Sequence, residues 1–216
     1  AHAVPVLMYH RIGEDGPPRL ARFRVSPSQF DAQLRLLRRR GYHAISSAAL
    51  RWYMDERQPI AGRPVLITFD DGYRDFLDLA WPILRANDFT AEVFVPTDLV
   101  GTAATWDAAY GTPSPLLGWD ELAELARQGV VIGSHLASHA DGLGLSTIAL
   151  AEELARSRAV LEARLGQQVR TFAAPYGSLD ERFARLAAGI GYQIGFSTRH
   201  GLAQLDDPPL MLPRIE

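Results

Sequence analysis

The sequence has no cysteine in its 216 residues, which excludes disulfides, thiolate metal sites and cysteine nucleophiles; any bound metal must be held by His, Asp or Glu. Basic tracts are missing too. With 22 Lys and Arg against 25 Asp and Glu, the formal charge is −3, so nothing suggests a polyanion-binding surface and nucleic acid is not expected as a partner. No apolar run approaches the roughly 18 to 20 residues a membrane-spanning helix needs. No Gly-x-Gly-x-x-Gly follows an apolar run, which removes the usual mark of a dinucleotide-binding sheet. The amino terminus carries no charged-then-apolar leader pattern. An abrupt start, and a stop at Ile215-Glu216 just after a strand-like stretch, fit a mature form or an excised domain of a longer protein with other domains.

What is present is an ordinary globular composition, 47% hydrophobic and 22% charged, long enough for a single domain over residues 1–216 with a large core. Short apolar runs alternate with helical periodicity. Strands are expected at Val4 to Met8, Tyr42 to Ile45, Val65 to Ile67, Ala91 to Val95, Val130 to Gly133, Val169 to Ala173 and Tyr192 to Phe196, with a last apolar patch at Leu210 to Leu212. Helices are expected after Ser26-Pro27 up to Gly41, over Ser47 to Glu56, and through Leu77, Leu79, Ile83 and Leu84 with Pro82 kinking or shortening it. Further helices run over Trp119 to Gln128, from Ser146 to Gly166, and around Phe183 and Leu186. Seven or eight strands separated by helices imply an α/β fold with a parallel sheet, and closure into a barrel fits better than an open sheet. The stretch from Thr97 to Gly118 is a long loop carrying Trp106 and Tyr110, and its aromatics point to a functional role.

Three strand ends carry the chemistry. Val65-Leu66-Ile67 delivers Asp70 and Asp71 to its carboxyl end, where α/β folds keep their reactive groups. Neighbouring strand residues face opposite sides, so the two carboxylates converge only if the chain turns, and Gly72 supplies the turn. Either aspartate alone would serve as a helix cap. His135 and His139 follow a second strand, four residues apart, and face one point if the backbone turns helically. Such a pair alone is also a common polar helix face. Beside two carboxylates, it suggests a metal site with an open position. Ser138 between them lacks the elbow of a nucleophilic serine. At the third strand end, Phe172-Ala173-Ala174-Pro175-Tyr176-Gly177 is a turn whose peptide N–H groups could serve an oxyanion.

Thr68-Phe69-Asp70-Asp71-Gly72, His135-x-x-Ser138-His139 and Phe172-x-x-Pro175-Tyr176-Gly177, in this order, resemble the first three motifs of the polysaccharide deacetylase family, carbohydrate esterase family four. The opening Val6-Leu7-Met8-Tyr9-His10 is similar to the branch of biofilm poly-β-1,6-N-acetylglucosamine deacetylases, in which an amino-terminal histidine replaces the catalytic histidine found elsewhere near the carboxyl terminus. The last 16 residues here contain no histidine.

The resemblance implies a distorted (β/α) barrel of mainly parallel strands and metal-dependent removal of N-acetyl groups from an amino-sugar glycan outside the cytoplasm. Asp71, His135 and His139 would hold one divalent cation, zinc first, with nickel and cobalt as alternatives. Asp70 would be the general base, the Tyr176 N–H would meet the oxyanion, and His10 would protonate the departing amine. Pro175, Tyr176 and Trp106 would contact the sugar.

Two departures stand out. Ala173 occupies the place of an arginine that pairs with the catalytic base in most members, and Arg214 is the expected substitute. The Asp-x-x-Asp-Trp motif of many relatives is absent. Rival readings are an acetyl-ester or formamido-sugar hydrolase, an impaired carbohydrate-binding relative, and a glycosidase. The last is disfavoured because its carboxylates must stand roughly 5 to 9.5 Å apart across a glycosidic bond. His43 and His200 are read as surface or core residues, and His2 as part of a flexible terminus.

Overall fold

A computed structural model describes residues 3–216; His2 lies outside the described residues. Eight strands form the main sheet: β1 (Val6–Tyr9), β2 (Tyr42–Ala44), β3 (Arg63–Phe69), β4 (Glu92–Val95), β5 (Val131–Ser134), β6 (Thr171–Ala173), β7 (Ile194–His200) and β8 (Leu212–Arg214). Its order is β8-β7-β6-β5-β4-β3-β1, with β2 paired to the start of β3, and every pairing is parallel. A parallel bridge between Leu7 and Ile215 draws the two edges together, Ile215 N–H donating to Val6 and Met8 N–H to Ile215, each at 2.8 Å. The result is a nearly closed barrel of seven strands, and the expected topology stands.

Among the described residues six α-helices surround it: α1 (Pro27–Arg39), α2 (Ser47–Glu56), α3 (Trp81–Ala86), α4 (Trp119–Arg127), α5 (Thr147–Leu165) and α6 (Glu181–Ile190). Local chemistry explains their limits. Ser26 accepts from the Gln29 N–H while the Gln29 side chain reaches back to the Ser26 N–H, and Pro27 begins α1 where a missing N–H costs nothing. Gly166 ends α5 with φ 67°, a conformation that favours glycine.

Strand alternation sorts the apolar side chains into two clusters. Val65, Ile67, Phe69, Val93 and Val95 pack with Phe30, Leu34, Leu84, Leu122, Leu154 and Phe183 of the helices. Leu66, Phe94, Phe196 and Leu212 face the barrel interior, where Leu50, Tyr53 and Met54 of α2 join them. Burying one such side chain stabilises the fold by about 1.5–3 kcal/mol.

The helix after β3 departs from expectation. Phe76–Ala80 is a π turn and α3 begins only at Trp81, which places Pro82 in a first turn that requires no N–H from it. The wider turn shifts the inward face by one residue. Phe76, Ala80, Trp81 and Leu84 are buried, while Leu79 is exposed and Leu77 and Ile83 are half-buried. The long loop after β4 is held against the Asp-Asp turn by a bridge between Tyr73 and Leu116, and a second bridge, between Ala103 and Pro115, closes the loop on itself.

Candidate active site

Parallel strands deliver all of their carboxyl ends to one rim, and the chemistry-bearing residues gather there. His10 follows β1, Asp70 and Asp71 follow β3, His135 follows β5, Tyr176 follows β6, Thr198 lies in β7 and Arg214 ends β8. They border a cleft of about 260 Å3, except Arg214, which is buried behind it.

The turn that brings the aspartates together starts one residue earlier than glycine alone would suggest. The Asp70 N–H still donates to Tyr9 at 2.9 Å, as the strand requires, and then Asp71 itself adopts φ 73°, followed by Gly72 at φ 70°. A Cβ on Gly72 would lie 2.7 Å from Val95, so this position has no room for a side chain.

The two carboxylates meet different partners. Asp71 Oδ1 lies 3.1 Å from His135 Nε2 and 3.1 Å from His139 Nε2, and the three ligand atoms sit within 4.8 Å of one another, all on buried residues. Asp70 instead receives a bidentate pair from Arg214, Nη1 to Oδ1 at 2.7 Å and Nη2 to Oδ2 at 2.6 Å. Arg214 is fixed in turn by Nε donating to the Ser197 carbonyl at 2.9 Å and Nη1 to Thr68 Oγ1 at 3.2 Å. Arg214 therefore places its guanidinium on Asp70, which Ala173 cannot reach.

Burial works against both carboxylates and is overruled. At Asp70 the Arg214 guanidinium, with His135 and His10 nearby, holds the carboxyl below its ordinary range. At Asp71 the two imidazoles hold it well below. Burial lowers His139, whereas at His135 the Asp71 contact and the Asp70 charge reverse that and raise it.

The donor set fits a cation. His135 Nδ1 lies 2.9 Å from the Ala173 carbonyl, which can only accept, so Nδ1 carries a hydrogen and, in the neutral imidazole, Nε2 presents a lone pair to Asp71. Lone pair against carboxylate is favourable only with a proton or cation between them. Two imidazole nitrogens and one carboxylate oxygen are a donor set suited to zinc, nickel or cobalt.

The expected helical turn between the histidines is not there. Residues 135–140 form an irregular loop in which Leu136 has φ 59° and His139 φ 61°; the pair meets because the loop folds back over the rim. Trp106 stacks on His139 with ring centroids 3.8 Å apart, and Tyr176 sets its edge against the same ring at 4.9 Å. Tyr176 adopts φ 59° and its side chain is largely exposed. Pro175 is buried and is not among the residues lining the cleft, contrary to its expected contact with substrate: the strand end draws it into the core while the turn sends Tyr176 outward. His10 packs against Phe23 at 5.0 Å on the opposite wall. Trp119 is half-buried beneath Arg164, Tyr110 stands outside the cleft lining, and His43 and His200 are exposed.

Sequence reasoning missed Tyr73, Asp107, Arg11, Arg22 and Thr198, which also line the cleft. Tyr73 donates to Asp107 at 2.7 Å, tying the long loop to the turn after β3, and burial raises its hydroxyl. Only the placement of Tyr73 one residue after Gly72 could have hinted at it.

A family model described as polysaccharide deacetylase matches residues 57–195. The chain is 27% identical over 212 residues to the protein YxkH of Bacillus subtilis (strain 168), covering 98% of this chain and 70% of that protein. It is 27% identical to poly-beta-1,6-N-acetyl-D-glucosamine N-deacetylase of Escherichia coli (strain K12), covering 87% of this chain but only 33% of that protein. Among solved structures, Streptococcus pyogenes deacetylase PplD in complex with acetate superposes with a TM-score of 0.87 at 28% identity, covering 99% of this chain and 91% of that one. IcaB from Ammonifex degensii gives 0.84 at 26%, covering 100% and 91%. With a family model spanning more than half its length and these two neighbours sharing its barrel, the chain belongs to the polysaccharide deacetylase family.

Proposed function

We propose that the protein hydrolyses the N-acetyl group of an amino-sugar glycan, with one divalent cation, zinc first, held by Asp71, His135 and His139. The observation that carries this is the approach of both imidazole Nε2 atoms to a single Asp71 oxygen at 3.1 Å, beside an aspartate engaged by Arg214 instead. When bound, the cation supplies Lewis acidity toward a carbonyl oxygen and lowers the pKa of water.

The rest falls to the chain. Asp70, kept ionised by Arg214, takes the proton of the attacking water. The Tyr176 N–H meets the charge that develops on the former carbonyl oxygen. His10, across the cleft, delivers a proton to the amine nitrogen, which leaves poorly without one. Trp106 and the Tyr176 ring wall the pocket for the sugar and its acetyl group. An extracytoplasmic setting fits a glycan substrate of the kind named for the Escherichia coli relative, poly-beta-1,6-N-acetyl-D-glucosamine; among the described residues no helix is long and apolar enough to cross a membrane.

The test is acetate release across chitooligomers, β-1,6-linked oligomers, peptidoglycan fragments, acetyl-xylan and formylated sugars, with metal analysis alongside and Asp70→Asn as control. Release from acetylated amino sugars, abolished in the control, is expected. Release from acetyl esters or formamides alone would replace the N-acetyl assignment, and a metal-loaded protein inert on every substrate would leave a binding relative.

A further inference from the structure

The two histidines are held by different means. His135 has its second nitrogen on the Ala173 carbonyl, whereas Nδ1 of His139, equally buried, has no hydrogen-bond partner among the described residues. A ligating imidazole is normally oriented through that second nitrogen. For His139 the orientation must come from packing and from its backbone.

Glu153, on α5, holds that backbone. Its Oε2 accepts from the N–H groups of Ala137 at 3.0 Å and Ser138 at 2.8 Å. Its Oε1 takes Arg156 at 2.8 Å, which also reaches Asp98 at 2.9 Å. The carbonyls of the same stretch are engaged from the other side: the Thr97 N–H donates to Leu136 at 3.3 Å and the Asp98 N–H to Ala137 at 2.9 Å. The segment thus gets its support from α5 and the loop after β4, while Leu136 and His139 stay in the left-handed region that non-glycine residues avoid.

We propose that Glu153 is a positioning residue for the cation site: by fixing the backbone of Ala137 and Ser138 it sets His139 Nε2 against Asp71, and so sets cation affinity. This rests on reading Asp71, His135 and His139 as that site. Glu153 does not line the cleft, so its effect runs through His139.

The experiment titrates metal-free protein with Zn2+ by calorimetry and with Co2+ by visible absorption, for the parent, Glu153→Ala, Glu153→Gln and Glu153→Asp, with thermal melts of each metal-free form. Glu153→Ala should weaken the cation Kd by roughly 10-fold or more and alter the Co2+ spectrum. Glu153→Gln, which keeps an oxygen for the two N–H groups, should recover most of that loss. A lowered melting temperature in Glu153→Ala with an unchanged Kd and spectrum would make Glu153 merely structural and overturn the proposal. Should Glu153→Ala not fold, Glu153→Asp, one methylene too short to bring its oxygen to the two N–H groups, decides: a Kd equal to the parent's overturns it. A parent that binds no cation overturns the site reading as well, whereas equal Kd values overturn only this role.

Discussion

Asp70 and Asp71 are adjacent in the chain, and their partners separate what each can do. Asp71 shares one oxygen between two imidazoles, and Asp70 is gripped by a guanidinium that is itself fully buried. Removing Arg214 leaves a buried carboxylate unpaired, which costs about 3–5 kcal/mol. Arg214→Ala should therefore lower turnover and melting temperature together while leaving metal content intact; turnover equal to the parent's in the folded variant would show that Asp70 works without its guanidinium. Glu92 presents the opposite case. Buried at the start of β4, it accepts from the Ser47 N–H at 2.6 Å through one oxygen, its other oxygen has no partner among the described residues, and burial lifts its carboxyl from the ordinary 4.5 to about 7. The folded protein therefore holds this proton where the unfolded chain has lost it. Stability from this group is full below pH 4.5, falls as pH rises toward 7, and levels off above. Thermal melts of Glu92→Gln and the parent should diverge from pH 5 to pH 8, with the variant gaining; parallel curves would show that Glu92 stays ionised.

Among elements, the turns at the rim store the strain. Of the six described non-glycine residues with positive φ, Asp71, Leu136, His139 and Tyr176 belong to the three motif turns, so strain concentrates where the side chains must converge. Gly177 follows Tyr176 with φ 71°, and a Cβ there would run into the Thr198 side chain. Gly177→Ala should lower turnover by moving the Tyr176 peptide, with about 1–2 kcal/mol of added backbone strain. Kinetic constants and a chemical denaturation curve check this, and an unchanged kcat would mean that the third turn tolerates movement. The π turn Phe76–Ala80 belongs to the same region: it lets the chain leave the Asp-Asp turn and still bury Phe76 and Trp81.

At the scale of the whole molecule, the cation site joins distant parts of the barrel. Asp71 belongs to the end of β3, and His135 and His139 to the end of β5 and the loop after it, which is pinned against α5, so a bound ion would tie the end of β3 to that loop. Binding to the folded state alone stabilises by about 2.7 kcal/mol at 100 times Kd. Chelation should thus remove activity and lower the melting temperature, and added Zn2+ should restore both. A melting temperature indifferent to chelator would show that no cation is held by these three residues.

Much of this was legible in the chain. The alternation of apolar runs with helical periodicity, Ser26-Pro27, Ser146 and Gly166 as helix limits, and the motif aspartates and histidines are local signals, set by side-chain period, capping chemistry and residue type. The parallel strands then had to bring their carboxyl ends to one rim. Sequence could not show that the histidine pair meets through an irregular loop, that Pro175 turns inward, that Trp106 stacks on His139, that Thr198 lines the cleft, or that Glu153 holds the backbone of Ala137 and Ser138. Those outcomes depend on contacts between residues far apart in the chain, and on φ angles that only packing imposes. Arg214 is the partner that the missing arginine at Ala173 led one to expect, but it reaches Asp70 across 144 positions only because barrel closure sets β8 beside β1, a placement no local pattern encodes.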